Sequence, residues 1–225
     1  MRARPTRAPR EREKRDPLAT RQALLQAGAE LFSERGFDGV STEDVAGQAG
    51  VNKALISYHF RGKRGLYVAI LESAFASLAE RLRAIEAKAK SAHGTLRAFL
   101  ETFDQFTRER PGFPTLFMRE VLAAGIDEAV LPHLLEIIGF SRRLAERGAR
   151  EGVFRRVDPL LFHLALVGSL IFFFATEPAR RRAQARVGFV LPDSKAFLRY
   201  LEELTLRGLA PQDPPSRLRR KGARA

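Results

Sequence analysis

The residues best placed to do chemistry in this chain lie between Ser41 and Phe60. Val45 and Ala46 are spaced to pack inward from one short helix, Gly50 permits a tight turn, and Val51 and Ile56 can anchor a second helix. That leaves Lys53, Ala54, Leu55, Ser57, Tyr58 and His59 for the exposed face and its rim. A helix fits the major groove of DNA, where its first turns reach base edges while lysines, hydroxyls and backbone amides hold phosphates. A glycine turn between two helices also occurs where it serves packing alone, so the pattern leaves a DNA reader and a structural helix pair equally open.

Other chemistries have little to build on. His93, His133 and His163 are far apart, with no one-turn pairing and no carboxylate pattern for zinc, so no metal and no cofactor is expected. The absence of cysteine removes disulfides, thiolate metal sites and cysteine nucleophiles together, and it suits a reducing, cytoplasmic setting. There is no glycine-rich phosphate loop after a strand, no nucleophile elbow and no serine-histidine-aspartate arrangement suited to a helical fold. The expectation is a protein that is not an enzyme.

The elements that must position the 41–60 segment are helices, because nearly every stretch between breakers shows three-and-four spacing and none alternates with period two. The spacing predicts a first helix over about 18–35, with Leu24, Ala27, Leu31 and Phe32 on one face and Gly36 at its end. Ser41 with Asp44 opens a short helix to Ala49, and Asn52 caps a third ending near Phe60. Arg61 and Gly62 break the chain before a long amphipathic helix over about 63–90. Longer helices are expected over 95–110, 113–124, 130–151, 159–175 and 193–209, with Gly94, Pro111, Gly125, Pro159, Pro178 and Pro192 among the breakers.

The net charge of +13 is concentrated at the two ends. Residues 1–17 hold seven basic side chains against three acidic, and residues 210–225 hold five against one. Their Pro, Arg and Ala content reads as disordered basic tails, which attract polyanions or simply confer solubility. The basic N-terminus lacks an apolar stretch behind it, which argues against a secretory signal. The run from Leu160 to Ala175 is shorter than the roughly 18 residues of a membrane span, so no membrane partner is expected.

The run FSERGFDGVSTEDVAGQAGVNKALISYHFRGKRGLYVAIL resembles the DNA-binding domain of the TetR family of transcriptional regulators. The match covers about residues 18–71. It passes through Phe32, Gly36 and Phe37, then Thr42, Val45, Ala46, Ala49, Gly50 and Val51, to Tyr58, Phe60, Lys63, Leu66 and Tyr67. The resemblance implies that Lys53 and Ala54 sit at the tip of the recognition helix. It also implies that Thr42 touches the DNA backbone, and that Tyr58, His59 and Lys63 contact phosphates or nearby base edges. Lys63 at a helix start is poorly placed for the helix dipole, which itself favours an anion nearby. Ser57 departs from the tyrosine common at its position in the family, and Leu55 from threonine; a leucine there can meet a thymine methyl.

The implied fold is all-α. A three-helix helix-turn-helix domain over residues 18–66 is joined by a long helix to a helical effector-binding and dimerisation domain over residues 67–209. The implied partners are double-stranded DNA, a second copy of the chain, and an apolar or amphipathic small molecule. The helices over 159–175 and 193–209 would form the dimer interface as a four-helix bundle, through Leu160, Leu164, Val167, Leu170 and Ile171 with Phe197, Leu201 and Leu204. Phe99, Phe103, Phe106, Phe113, Phe117, Met118 and Phe140 are candidates for the effector pocket, although phenylalanines at helical spacing more often form plain core. The leading expectation is a ligand-released repressor acting as a homodimer on an inverted-repeat operator. A constitutive DNA-binding protein without an effector is the alternative, and a helical enzyme or lipid carrier is a third class.

Overall fold

A computed structural model describes residues 16–123, 125–188 and 190–211. The expected disordered basic tails fall almost wholly outside the described residues. Ten helices and no strand are present among those residues: α1 Pro17–Arg35, α2 Thr42–Ala49, α3 Ala54–Phe60, α4 Lys63–Lys88, α5 Ala92–Glu109, α6 Phe113–Ala123, α7 Leu131–Arg150, α8 Pro159–Ala175, α9 Glu177–Val187 and α10 Ser194–Gly208. The chain divides between Ala69 and Ile70 into two compact units. No single helix among the described residues is long and apolar enough to cross a membrane.

The first unit is organised by helix ends. Asp16 caps α1 by accepting from the Leu18 N–H at 3.0 Å, Pro17 fits the first turn because its missing N–H has no partner there, and Gly36 closes the helix by donating to Phe32 O. Leu24, Leu31 and Phe32 of α1 then pack with Val45, Ile56, Phe60, Leu66 and Tyr67, all buried. Each such side chain contributes about 1.5–3 kcal/mol on burial, which is what holds helices as short as α2 and α3. Phe32, Phe37 and Tyr67 pack as a trio with ring centroids 5.3 to 5.9 Å apart.

The second unit runs from Ile70 onward and is dominated by aromatic core. Here α7 packs on α8, α6 on α8, and α5 on both α7 and α10. Phe99, Phe103, Phe106, Phe113 and Phe140 are each at most 4% exposed. A buried polar pair joins α7 to α8, the Ser141 hydroxyl lying 2.9 Å from His163 Nδ1. Burial holds the His163 pKa below its ordinary value, so the ring is neutral. After α7 the chain turns back so closely that a Cβ on Gly148 would lie 2.0 Å from the Phe154 ring.

Several boundaries depart from the sequence expectation for identifiable reasons. Helix α5 starts at Ala92, not Thr95, because Ser91 caps it by accepting from Gly94 N–H at 3.1 Å; Gly94 lies inside the first turn. The unexpected helix α9 begins around Pro178, which sits in a first turn and starts the helix instead of breaking the chain. Lys53, not Asn52, occupies the cap position of α3, although the Asn52 carboxamide still accepts from Ala54 N–H at 2.8 Å.

Candidate nucleic-acid interface

Local chemistry sets the entry to α2. Ser41 N–H donates to Asp44 Oδ2 at 2.8 Å and Asp44 N–H donates to Ser41 Oγ at 3.1 Å, a reciprocal cap. Gly50 then adopts the left-handed conformation at φ 64°, and Val51 N–H reaches back to Ala46 O at 3.0 Å, closing the helix and turning the chain. At the far end of α3, Arg61 also has positive φ, at 60°. Gly65 is required by a close approach: a Cβ there would lie 1.7 Å from Phe60 O.

These devices fix which side of α3 faces out. Ile56 and Phe60 are buried, whereas Lys53, Ala54, Ser57 and Tyr58 are exposed and Leu55 and His59 half-buried. Tyr58 is 78% exposed, so it has no part in the core, and its ring meets the His59 ring edge-on at 4.9 Å. Phe60 is the core residue of the pair. Thr42, half-buried at the start of α2, donates its hydroxyl to Glu43 Oε2 at 3.0 Å. Lys63 Nζ lies 4.4 Å from the Phe37 ring centroid, a cation–π contact that orients the ammonium at the start of α4.

One residue of this surface was not signalled by sequence. Glu43 accepts from Lys53 Nζ at 2.6 Å, ten positions apart. The Lys53 hydrogen bond, with smaller contributions from the Glu43 backbone and Thr42, lowers the Glu43 carboxyl to about 2. Glu43 in turn raises the Lys53 pKa. Both groups are fully ionised at neutral pH.

The remaining candidates fall into two groups. The effector candidates are brought together, but as packed core: Phe99–Phe140, Phe106–Phe113 and Phe113–Phe117 centroids lie 5.4, 5.0 and 6.2 Å apart. Phe117 and Met118 are half-buried. Two clefts of about 360 Å³ lie elsewhere in the second unit, around Glu146 and Arg150, and none of these phenylalanines lines them. The dimer candidates divide by burial. Leu170, Ile171 and Leu201 are buried, because the neighbouring helices of the same chain cover them. Val167 is half-buried, and Phe197 stacks at 3.9 Å on Phe173 of α8. The outward apolar side chains are Leu160, Leu161, Leu164 and Phe172 of α8 with Tyr200 and Leu204 of α10.

Comparison with known proteins agrees with this geometry. Residues 24–70, which include α2, α3 and the start of α4, match the family model for bacterial regulatory proteins of the tetR family. The chain is 29% identical over 200 residues to the HTH-type transcriptional repressor NicS of Pseudomonas putida, spanning 84% of this chain and 92% of that one. Its fold is similar to the TetR family transcriptional regulator PfmR from Thermus thermophilus, with a TM-score of 0.65 at 23% identity over 84% of this chain and 99% of that one. It is similar as well to the transcriptional regulator FadR from Bacillus subtilis in complex with stearoyl-CoA, with a TM-score of 0.69 at 15% identity over 84% and 98% of the two chains. With a capped helix-turn-helix inside the matched segment, and a named repressor aligned over most of the chain, residues 24–70 match the DNA-binding segment of the TetR family of transcriptional regulators and the chain as a whole is similar to regulators of that family.

Proposed function

We propose that the chain is a ligand-released repressor that acts as a homodimer on an inverted-repeat operator, residues 18–66 reading DNA and residues 67–209 binding the effector and the second copy. The observation that carries the DNA reading is the two-sidedness of α3. Ile56 and Phe60 are sealed in the core, while Tyr58, 78% exposed, projects from the same helix with Lys53, Ala54 and Ser57. A tyrosine in that position offers an apolar ring and a hydroxyl together, the combination that meets a partner by packing and by hydrogen bonding at once. Lys53, Ala54 and Leu55 approach base edges, and Thr42, Tyr58, His59 and Lys63 hold phosphates at the rim.

Repression is supported by the name of the Pseudomonas putida relative. Dimerisation is supported by the outward stripe of α8, where Leu160, Leu161, Leu164 and Phe172 are all more than half exposed. The effector reading is supported by the stearoyl-CoA named with the similarly folded Bacillus regulator. In this chain the phenylalanine core must part to admit an acyl or similarly amphipathic ligand, with the half-buried Phe117 and Met118 as the yielding wall. Such a ligand acts through its differential affinity for the DNA-incompetent state, and coupling of roughly 1–3 kcal/mol is typical.

Footprinting on sites selected from a random-sequence pool tests the reading. The expected result is a two-fold symmetric footprint with half-sites about one DNA turn apart, on the order of 34–36 Å. An asymmetric footprint, or tight specific binding by a proven monomer, refutes it. For the effector, linkage requires operator DNA to weaken ligand binding by the same factor by which ligand weakens operator binding. Identical ligand affinity with and without operator refutes release and leaves the constitutive alternative.

A further inference from the structure

The helix-turn-helix carries an ion pair that ties its two helices together on the DNA-facing side, Lys53 Nζ to Glu43 Oε1 at 2.6 Å. The carboxylate is held from its other oxygen by the Thr42 hydroxyl at 3.0 Å, so it is aimed at the lysine. The neighbouring Asp44 is committed to the cap of α2 through the Ser41 N–H and hydroxyl. Glu43 is thus the acid that faces Lys53, and both side chains are about three-fifths exposed.

We propose that Glu43 is a specificity-determining residue, a tethered counter-ion that withholds Lys53 from non-specific phosphates and releases it to an operator that offers a better partner. The inference rests on the reading above that Lys53 faces DNA. Its physical basis is counter-ion release. A lysine that neutralises a phosphate frees a cation condensed on the duplex, and this gain is what drives sequence-independent binding. A Lys53 that stays paired brings no net charge to the DNA and frees nothing. A Lys53 that changes partner leaves the Glu43 carboxylate bare beside the duplex, where it recruits a cation and cancels the release. On either path non-specific DNA gains almost nothing from Lys53. Because the pair is exposed, it opens at little cost wherever a base edge or a well-placed phosphate fits the ammonium geometrically.

The test uses the full chain, with fluorescence polarisation on a duplex of random sequence and on the site the protein selects from a random pool. For Glu43→Gln, the expected slope of log affinity against log salt on the random duplex steepens by about 0.9 for each protomer in contact. The variant-to-wild-type affinity ratio therefore changes about 3.5-fold per protomer between roughly 50 and 200 mM salt. Affinity for the selected site rises less, so the preference for it over random DNA falls. Glu43→Ala gives the same steepening, Lys53→Arg rebuilds the pair and keeps the wild-type slope, and in a Lys53→Met background Glu43→Gln changes the slope no further. Melting curves confirm that each variant is folded. An unchanged slope in both folded Glu43 variants, or equal steepening in the Lys53→Met background, overturns the proposal. Wild-type protein that binds no duplex overturns the DNA reading itself, a distinct outcome.

Discussion

Replacing Leu164 by glutamate should convert the proposed dimer to monomers while leaving each protomer folded. Leu164 is 58% exposed on the outward stripe of α8 and makes little contribution to its own chain's core. Complete burial of a leucine is worth about 1.5–3 kcal/mol, so covering its exposed part contributes about 1–1.5 kcal/mol per copy. In a two-fold interface each residue counts twice, so Leu164→Ala loses about 2–3 kcal/mol of association, or about 30- to 150-fold in dissociation constant. Glutamate adds the cost of stripping two like charges of water, several kcal/mol more, which takes the protein to monomer at micromolar concentration. Sedimentation equilibrium across a concentration series reads the constant directly. Leu122→Glu, an equally drastic change at an exposed residue of α6, should leave it unaltered. Leu170→Ala should instead lower unfolding stability by about 2–5 kcal/mol, because that side chain is 0% exposed within the protomer. A Leu164→Glu protein that dimerises as tightly as wild type refutes the assignment of this face, whatever its effect on DNA binding.

Four further outcomes follow from the same structure. Tyr58→Ala should leave the melting temperature unchanged yet weaken DNA binding about tenfold, the worth of roughly one hydrogen-bonded contact; Lys63→Ala should weaken all sequences alike and flatten the salt slope by about 0.9 per protomer. Gly148→Ala should destabilise by about 1–3 kcal/mol in urea unfolding despite alanine's better helix propensity. The added methyl would lie 2.0 Å from the Phe154 ring, so Phe154→Leu should recover part of the loss. Burial lowers the His163 pKa, so the unfolded chain binds the proton more readily. The resulting stability is complete above the ordinary value of 6.5 and is lost as pH falls through the lowered one, and His163→Gln should flatten that dependence in pH-resolved melts.

The helix-turn-helix was legible from sequence because its determinants are local. Ser41 and Asp44 form a cap within one turn, Gly50 supplies a left-handed residue, and Leu24, Leu31, Phe32, Ile56 and Phe60 are inward by helical period alone. The same logic placed Tyr58, Ser57 and Lys53 outward. Sequence was silent where a residue's place depends on what lies across from it. Leu160 to Ala175 is apolar on all sides, so its period does not say which leucines face the chain and which face away; only the packing of α8 on α6 and α7 sends Leu170 and Ile171 inward and leaves Leu164 and Phe172 outside. The phenylalanines of α5 to α7 carry the same spacing whether they wall a pocket or fill a core, and only the structure shows them packed ring against ring. The Glu43–Lys53 pair was invisible for a related reason: ten residues and a turn separate the charges, and no periodicity links them. Sequence by itself determined where α1 and α2 start and which inward stripes seal the small unit, because those choices are made within a few residues. Tertiary structure alone decided the partner of each remaining side chain, because that depends on elements distant in the chain arriving at one place.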